Sequence, residues 1–219
     1  MKLKKELPIL IIAILPVLYL AYIYGDLPAT VPIHWNAQGE IDGYGDKSTL
    51  WLVPFMMSVL TYILLCIAPF IDPKKQIERM GNKFHQFKFV IVLFMSVLAM
   101  YIINSSLTAS LGSMTGLFIL LGLLFAVIGN YMPSLKPNYF IGVRTPWTLE
   151  SPVVWKKTHR LTGKLWVVAG VLLVLLALII PAEIFLYIFI GITALITIVP
   201  LAMSYVWFKK GGENAISKE

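Results

Sequence analysis

The sequence predicts an all-α integral membrane protein, a six-transmembrane-helix bundle with both termini cytoplasmic. Three observations predict it. Of the 219 residues, 58% are hydrophobic and only 13% charged, with a mean hydropathy of +0.82; a soluble domain carries about 25% charged residues. The charges are segregated, leaving residues 7–25, 48–71, 89–135, 165–182 and 184–208 free of Asp, Glu, Lys and Arg. And the lysines and arginines fall almost entirely on one side of the spans those windows define.

A helix needs about 20 apolar residues to cross the hydrocarbon core. The 89–135 window is therefore two helices, with Asn104-Ser105-Ser106 as its polar break. Six spans follow: Leu7–Tyr24, Leu50–Phe70, Phe87–Ile103, Leu111–Tyr131, Leu165–Ile180 and Ile184–Phe208. The third and fifth are short, and the expectation is that Lys88 and Lys164 reach back to the interface. Lys2, Lys4 and Lys5 before the first apolar run have the look of a signal peptide. Bulky Tyr22, Ile23 and Tyr24 stand where a small-residue cleavage site belongs, so the run is read as an uncleaved span.

Orientation follows from the cations. With the N-terminus inside, 17 of the 18 Lys and Arg are cytoplasmic, and only Lys47 is not. The net charge of +7 is then a positive-inside bias with attraction to anionic membrane lipid, and direct nucleic-acid binding is not expected. Cys66 lies inside an apolar run, so neither a disulfide framework nor a Cys-rich metal site is implied.

Residues 25–49 form the outer loop, with Asp26, Glu40, Asp42 and Asp46 against Lys47. Two prolines and four glycines favour turns over a long helix. Pro32–Asn36 reads as a short extended piece, with Gly39, Gly43 and Gly45 at turns. His34 and Trp35 offer a titratable and an aromatic contact to a binding partner; equally, Trp35 is the kind of residue that anchors at head-group depth. Asp42 to Asp46 lacks the ligand spacing of an EF-hand, and His34, His85 and His159 lie in separate loops, so no metal is expected.

The inner loop 71–88 reads as a solvated linker with a short amphipathic helix and an i,i+4 Lys74–Glu78 pair. The third and fourth spans are expected to turn tightly at Asn104–Ser106, with Gly112 and Gly116 as a close-packing pair. The interior of each span lacks the ionisable residue that a proton pump or coupled carrier places near midplane, and there is no HExxH or GxSxG. A small-substrate or peptide transporter is the competing reading, and a lipid enzyme built on His159 or His34 a third. No cofactor is expected.

The remaining stretch, residues 130–164, is not explained by the spans. It carries Lys136, Arg144, Lys156, Lys157, Arg160 and Lys164 against the single acid Glu150. Pro133 and Pro137 end the helix before it. Gly142 to Trp147 is expected to be extended and turned, since Thr145 precedes Pro146. Ser151-Pro152 is a helix start. From there Trp155, His159, Thr162 and Trp166 share one face while Lys156, Lys157, Arg160 and Lys164 occupy another, the pattern of a basic interfacial helix. Arg144 could grip a carboxylate or stack on Trp147; equally, it could bind a lipid phosphate or cap a span's C-terminal carbonyls while Trp147 anchors the loop.

Asn130, the Asn138–Gly142 run, Arg144-Thr145-Pro146-Trp147-Thr148-Leu149 and Val154-Trp155-Lys156 resemble the C-terminal signature of the SdpI family of bacterial membrane immunity proteins. Pro32-Ile33-His34-Trp35 with Gly39 is similar to the domain preceding that signature in full-length members. The division implied is 1–88, two spans with their loops, and 89–219, the SdpI-like region. The resemblance implies resistance to a secreted peptide toxin, and also signalling through a small DNA-binding repressor held at the membrane. On that reading Asn130, Asn138, Gly142, Arg144, Thr145, Pro146, Trp147, Thr148 and Trp155 are partner-binding, and Pro32, His34, Trp35 and Gly39 face the toxin.

Overall fold

In the structure, a computed structural model describing residues 3–36, 38–110 and 114–216, six helices are long and apolar enough to cross a membrane. They run Lys4–Ile23, Lys47–Ile71, Asn82–Leu107, Met114–Ser134, Pro152–Ala177 and Ala182–Gly211, and are called the first to sixth spans. Two lengths depart from expectation. The third and fifth helices have 26 residues each, about 39 Å at 1.5 Å per residue. Neither is short, because charged residues at their starts are accommodated within the helix instead of ending it. Asn104, Ser105 and Ser106 are likewise helical, and the third helix continues to Leu107. Ser105 and Ser106 donate to carbonyls four residues back, which is how hydroxyls are tolerated inside a membrane helix. Gly112 lies outside the described residues, and a Cβ on Gly116 would meet nothing within 4 Å.

The chain divides into two compact units. One comprises Met1–Ile67 with His85–Met114, the other Ala68–Phe84 with Thr115–Glu219.

In the first unit, Ile9, Ala13 and Val92 pack with Ile12, Tyr62 and Leu65. A second cluster joins Leu20, Ile23 and Leu27 to Val31, Leu50 and Ile103. The second span starts with a 3-10 turn at Lys47–Trp51 and contains a π segment at Phe55–Val59, just after Pro54. The wider π turn lets the buried Ser58 hydroxyl reach the carbonyls of Ala13 and Pro54, at 2.9 and 2.8 Å. Between the first two spans the helical architecture is interrupted by an antiparallel hairpin, Thr30–Trp35 (β1) with Ile41–Asp46 (β2). The extended piece expected from Pro32 is thus one strand of a pair, and Gly43 and Gly45 are in the other strand, not at turns. Each faces a cross-strand side chain, His34 or Ile33, that leaves no room for a Cβ. Lys47, the one cation outside the positive-inside pattern, caps the first span: its ammonium donates to Tyr24 and Leu27 carbonyls at 3.2 and 3.1 Å.

In the second unit, the fourth and fifth spans approach closely through glycines spaced seven apart. A Cβ on Gly122 would stand 2.9 Å from the Gly170 carbonyl, and one on Gly129 would stand 2.9 Å from that of Gly163. Phe118 and Phe185 rings pack at 4.3 Å, and Phe125 lies 5.0 Å from Trp166.

Candidate functional site

The segment 130–164 is held in shape by its own side chains. Asn138 is fully buried; its amide donates to the carbonyls of Lys136 and Ile141, and its oxygen accepts from the N–H groups of Phe140 and Ile141. All of its hydrogen-bonding capacity is spent on one turn. The chain then passes Gly142 at φ +109°, where any side chain would collide with the His159 ring. Thr145 is extended, as expected before proline, and closes a reciprocal cap with Thr148. The Thr148 hydroxyl donates to the Val143 carbonyl at 2.9 Å and accepts from the Thr145 N–H at 2.8 Å. Pro146 to Glu150 is consequently a short helix, which takes in the last two residues of the 142–147 stretch expected to be extended and turned.

His159 and Trp155 form the floor beneath this loop. Both are buried, and their rings stack with centroids 4.0 Å apart. His159 Nδ1 donates to the Trp155 carbonyl at 2.9 Å, so Nε2 is left to accept from Val143 N–H at 3.1 Å. Only the neutral ring with its proton on Nδ1 satisfies both bonds. Trp155 Nε1 donates to the Leu135 carbonyl at 2.8 Å. Ser151 caps the fifth helix as the sequence predicts, accepting from Val154 N–H, and Lys156, Lys157, Arg160 and Lys164 are exposed.

Arg144 and Trp147 part company. The exposed Arg144 donates to the Tyr139 carbonyl at 2.6 Å. Trp147 donates instead to the Ser204 hydroxyl and meets Tyr205 edge-on, centroids 5.3 Å apart. The short helix turns Trp147 onto the sixth span, so the cation–π pair between Arg144 and Trp147 is absent.

The inner-loop residues therefore separate by role. Asn138, Gly142, Thr145, Thr148 and Trp155 are inward staples, Trp147 is an anchor, and Arg144, Pro146 and Asn130 are exposed. Beside Arg144 the loop exposes Tyr139, Phe140 and Val153, at 41, 36 and 63%. These apolar contacts belong to no periodic pattern, so no sequence signal singles them out. The stretch 72–80 is also part of this structure, not a solvated linker. Buried Asp72 accepts from the N–H groups of Lys74, Gln76 and Ile77, and Ile77 and Met80 are buried. Lys74 reaches the Leu149 carbonyl and Lys136 the Arg79 carbonyl, so Lys74 pairs with Leu149 and not with Glu78.

In the other unit, Pro32 is buried and Trp35 half-buried, its indole N–H enclosed without a partner among the described residues. His34 is exposed, its Nδ1 2.5 Å from Asp42 Oδ1. Gly39 takes φ +82° in the turn, which Asn36 organises by accepting from Gln38 and Glu40 N–H groups. Near the opposite end of the first span lies a cluster with no signal in the sequence. Lys88, 2% exposed, does not reach back to the interface; its ammonium lies 2.6 Å from Glu6 Oε2. His85 is 3.3 Å from the other oxygen of Glu6, and Cys66 Sγ is 3.7 Å from Lys88. Turning inward gives Lys88 a carboxylate partner where lipid would offer none.

Comparison with known proteins follows the same division. Residues 134–204 match the SdpI/YfhL protein family, and residues 11–58 match a domain of unknown function, DUF1648. The chain is 28% identical over 210 residues to Immunity protein SdpI of Bacillus subtilis (strain 168), covering 94% of this chain and 97% of that protein. No solved structure matches. With six helices able to cross a bilayer, this is a multi-pass cell-membrane protein whose residues 134–204 are similar to the SdpI/YfhL family and whose residues 11–58 are similar to DUF1648.

Proposed function

We propose that this protein confers immunity to a secreted peptide toxin, acting by binding and not by catalysis. The observation that carries the reading is the continuity of the match to Immunity protein SdpI, which runs through 94% of the chain. The geometry supports it in two places. A polar hairpin, exposed at His34, Asp42 and Tyr44, interrupts an otherwise lipid-suited chain and offers a peptide something to meet. The 130–164 loop is fixed by Asn138, Thr148 and His159, as a docking surface requires.

The cation distribution supports an orientation with both termini and the 130–164 loop in the cytoplasm and the hairpin outside. On that orientation the inner loop does not touch the toxin. It holds a cytoplasmic partner, a small DNA-binding repressor, through Arg144 with Tyr139 and Phe140 beside it. Expression in a toxin-sensitive bacterium is expected to raise survival under toxin; unchanged killing at full membrane expression would defeat the immunity reading. Recruitment is tested separately, by the membrane fraction of a tagged candidate repressor co-expressed with the protein. Full recruitment by Arg144→Ala would defeat the docking reading alone.

A further inference from the structure

We propose that the free edge of β2 is where this protein takes its peptide, pairing with an extended, cationic segment as a third strand. The proposal rests on the immunity reading and gives it a binding mode.

The two edges of the hairpin are unlike. Lys47 N–H donates to the Ala29 carbonyl at 2.9 Å. Antiparallel pairs alternate between bonded and non-bonded, so the Val31–Gly45 pair is bonded, while Thr30–Asp46 and Pro32–Tyr44 are not. The backbone groups of these last four residues point away from the partner strand. On the β1 side, Pro32 has no N–H, and its carbonyl accepts from the buried Ser106 hydroxyl of the third span at 2.8 Å. That edge is interrupted at Pro32. On the β2 side, the N–H and C=O of Tyr44 and the N–H of Asp46 point outward, and the described residues supply no third strand.

Charge selects the occupant. Asp42, Tyr44 and Asp46 alternate as the exposed residues of β2, and Glu40 precedes them. The one cation of the segment, Lys47, is committed to the Tyr24 and Leu27 carbonyls. Carboxylates on an edge strand repel a second copy of the same edge. They favour a strand bearing Lys or Arg, by cross-strand pairing. Tyr44, 62% exposed, adds an aromatic surface against which the incoming strand can pack. Backbone pairing then supplies affinity and the alternate side chains specificity.

The probe is a synthetic ten-residue peptide of alternating Lys and Val, titrated onto the full chain in phosphatidylcholine nanodiscs. Binding is expected to slow amide exchange at Tyr44 and Asp46. Methylating the backbone nitrogens on one edge of the peptide should weaken binding by at least about tenfold, and on the other edge far less. Tyr44→Pro removes the outward N–H and should do the same, while Tyr44→Phe keeps it and should bind normally. If Tyr44→Pro does not fold, the methylated peptides on the wild-type protein decide. Equal binding of both methylated peptides, equal binding of a Glu–Val peptide, or β2-mediated self-association in place of peptide binding would each overturn the proposal. In cells, a wild type that protects and a folded Tyr44→Pro that protects equally would sink edge pairing but leave immunity standing. A wild type that does not protect would sink immunity itself.

Discussion

Replacing Lys88 by methionine removes the ammonium that lies 2.6 Å from Glu6 and leaves most of the packing volume in place. The Glu6 side chain is 8% exposed, so its carboxylate cannot recover solvation from water. His85 at 3.3 Å and the hydrogen-bonded Tyr62 hydroxyl remain beside it, and neither carries the fixed positive charge that Lys88 supplied. Stranding one member of a buried ion pair costs about 3–5 kcal/mol. That is a large part of the 5–15 kcal/mol by which a folded chain is typically stable. Removing both charges strands neither, so Glu6→Gln with Lys88→Met should lie within about 1–2 kcal/mol of wild type. The assay is unfolding in mixed micelles, titrated with SDS and followed by tryptophan fluorescence. A single variant within about 1 kcal/mol of wild type, or a double variant no better than the single, would refute the reasoning.

Further outcomes follow from the same structure. Gly163→Ala puts a Cβ 2.7 Å from the Gly129 carbonyl and 2.9 Å from Pro133 Cδ, and should lower stability by about 1–3 kcal/mol in the same unfolding assay. Gly116→Ala and Gly191→Ala, with nothing within 4 Å, should leave the transition unchanged or slightly raised. Thr148→Val deletes the hydroxyl that joins Val143 and Thr145; a cost of about 1–3 kcal/mol and faster proteolysis at residues 139–146 are expected. Arg144→Ala, losing one exposed bond to the Tyr139 carbonyl, should leave melting within about 1 kcal/mol and reduce repressor recruitment. Trp147→Ala is expected to destabilise, through Ser204 and Tyr205, and so cannot separate recruitment from folding. Hydrogen bonds from the Ser48 side chain and N–H hold the Asp46 carboxyl below its usual 3.8. A depressed folded value means that this contribution is present above about pH 4 and lost as pH falls through the folded value. Asp46→Ala should therefore flatten the acid limb of a melting-versus-pH curve.

What was legible in the sequence is what lipid dictates. Charge-free runs of membrane length gave six spans, and Ser151-Pro152 gave the start of the fifth helix within its first turn. Backbone limits were legible too, as at extended Thr145 before Pro146. Partners distant in sequence were not. Lys88 was expected to reach the interface because its carboxylate, Glu6, is 82 residues away. A stack of Trp147 on Arg144 was one option because they are neighbours, whereas the hydrogen-bond partner of Trp147 is 57 residues on. The hairpin showed only as an extended piece, since glycines at 43 and 45 read as turns until cross-strand packing explains them. One signal was present and unused: Gly122 and Gly129, and Gly163 and Gly170, repeat at sevenfold spacing in two separate spans. Most of the signature residues of the 130–164 segment hold its shape, while Asn130, Arg144 and Pro146 are exposed.

The most direct measurement is a killing curve. A toxin-sensitive bacterium expressing the full chain, with membrane levels verified, is exposed to graded amounts of a secreted peptide toxin that kills it. The account predicts survival at doses that kill cells carrying the empty vector, with protection diminished by Lys88→Met and restored by the double Glu6→Gln, Lys88→Met variant. Killing curves that coincide for expressing and empty-vector cells would contradict it.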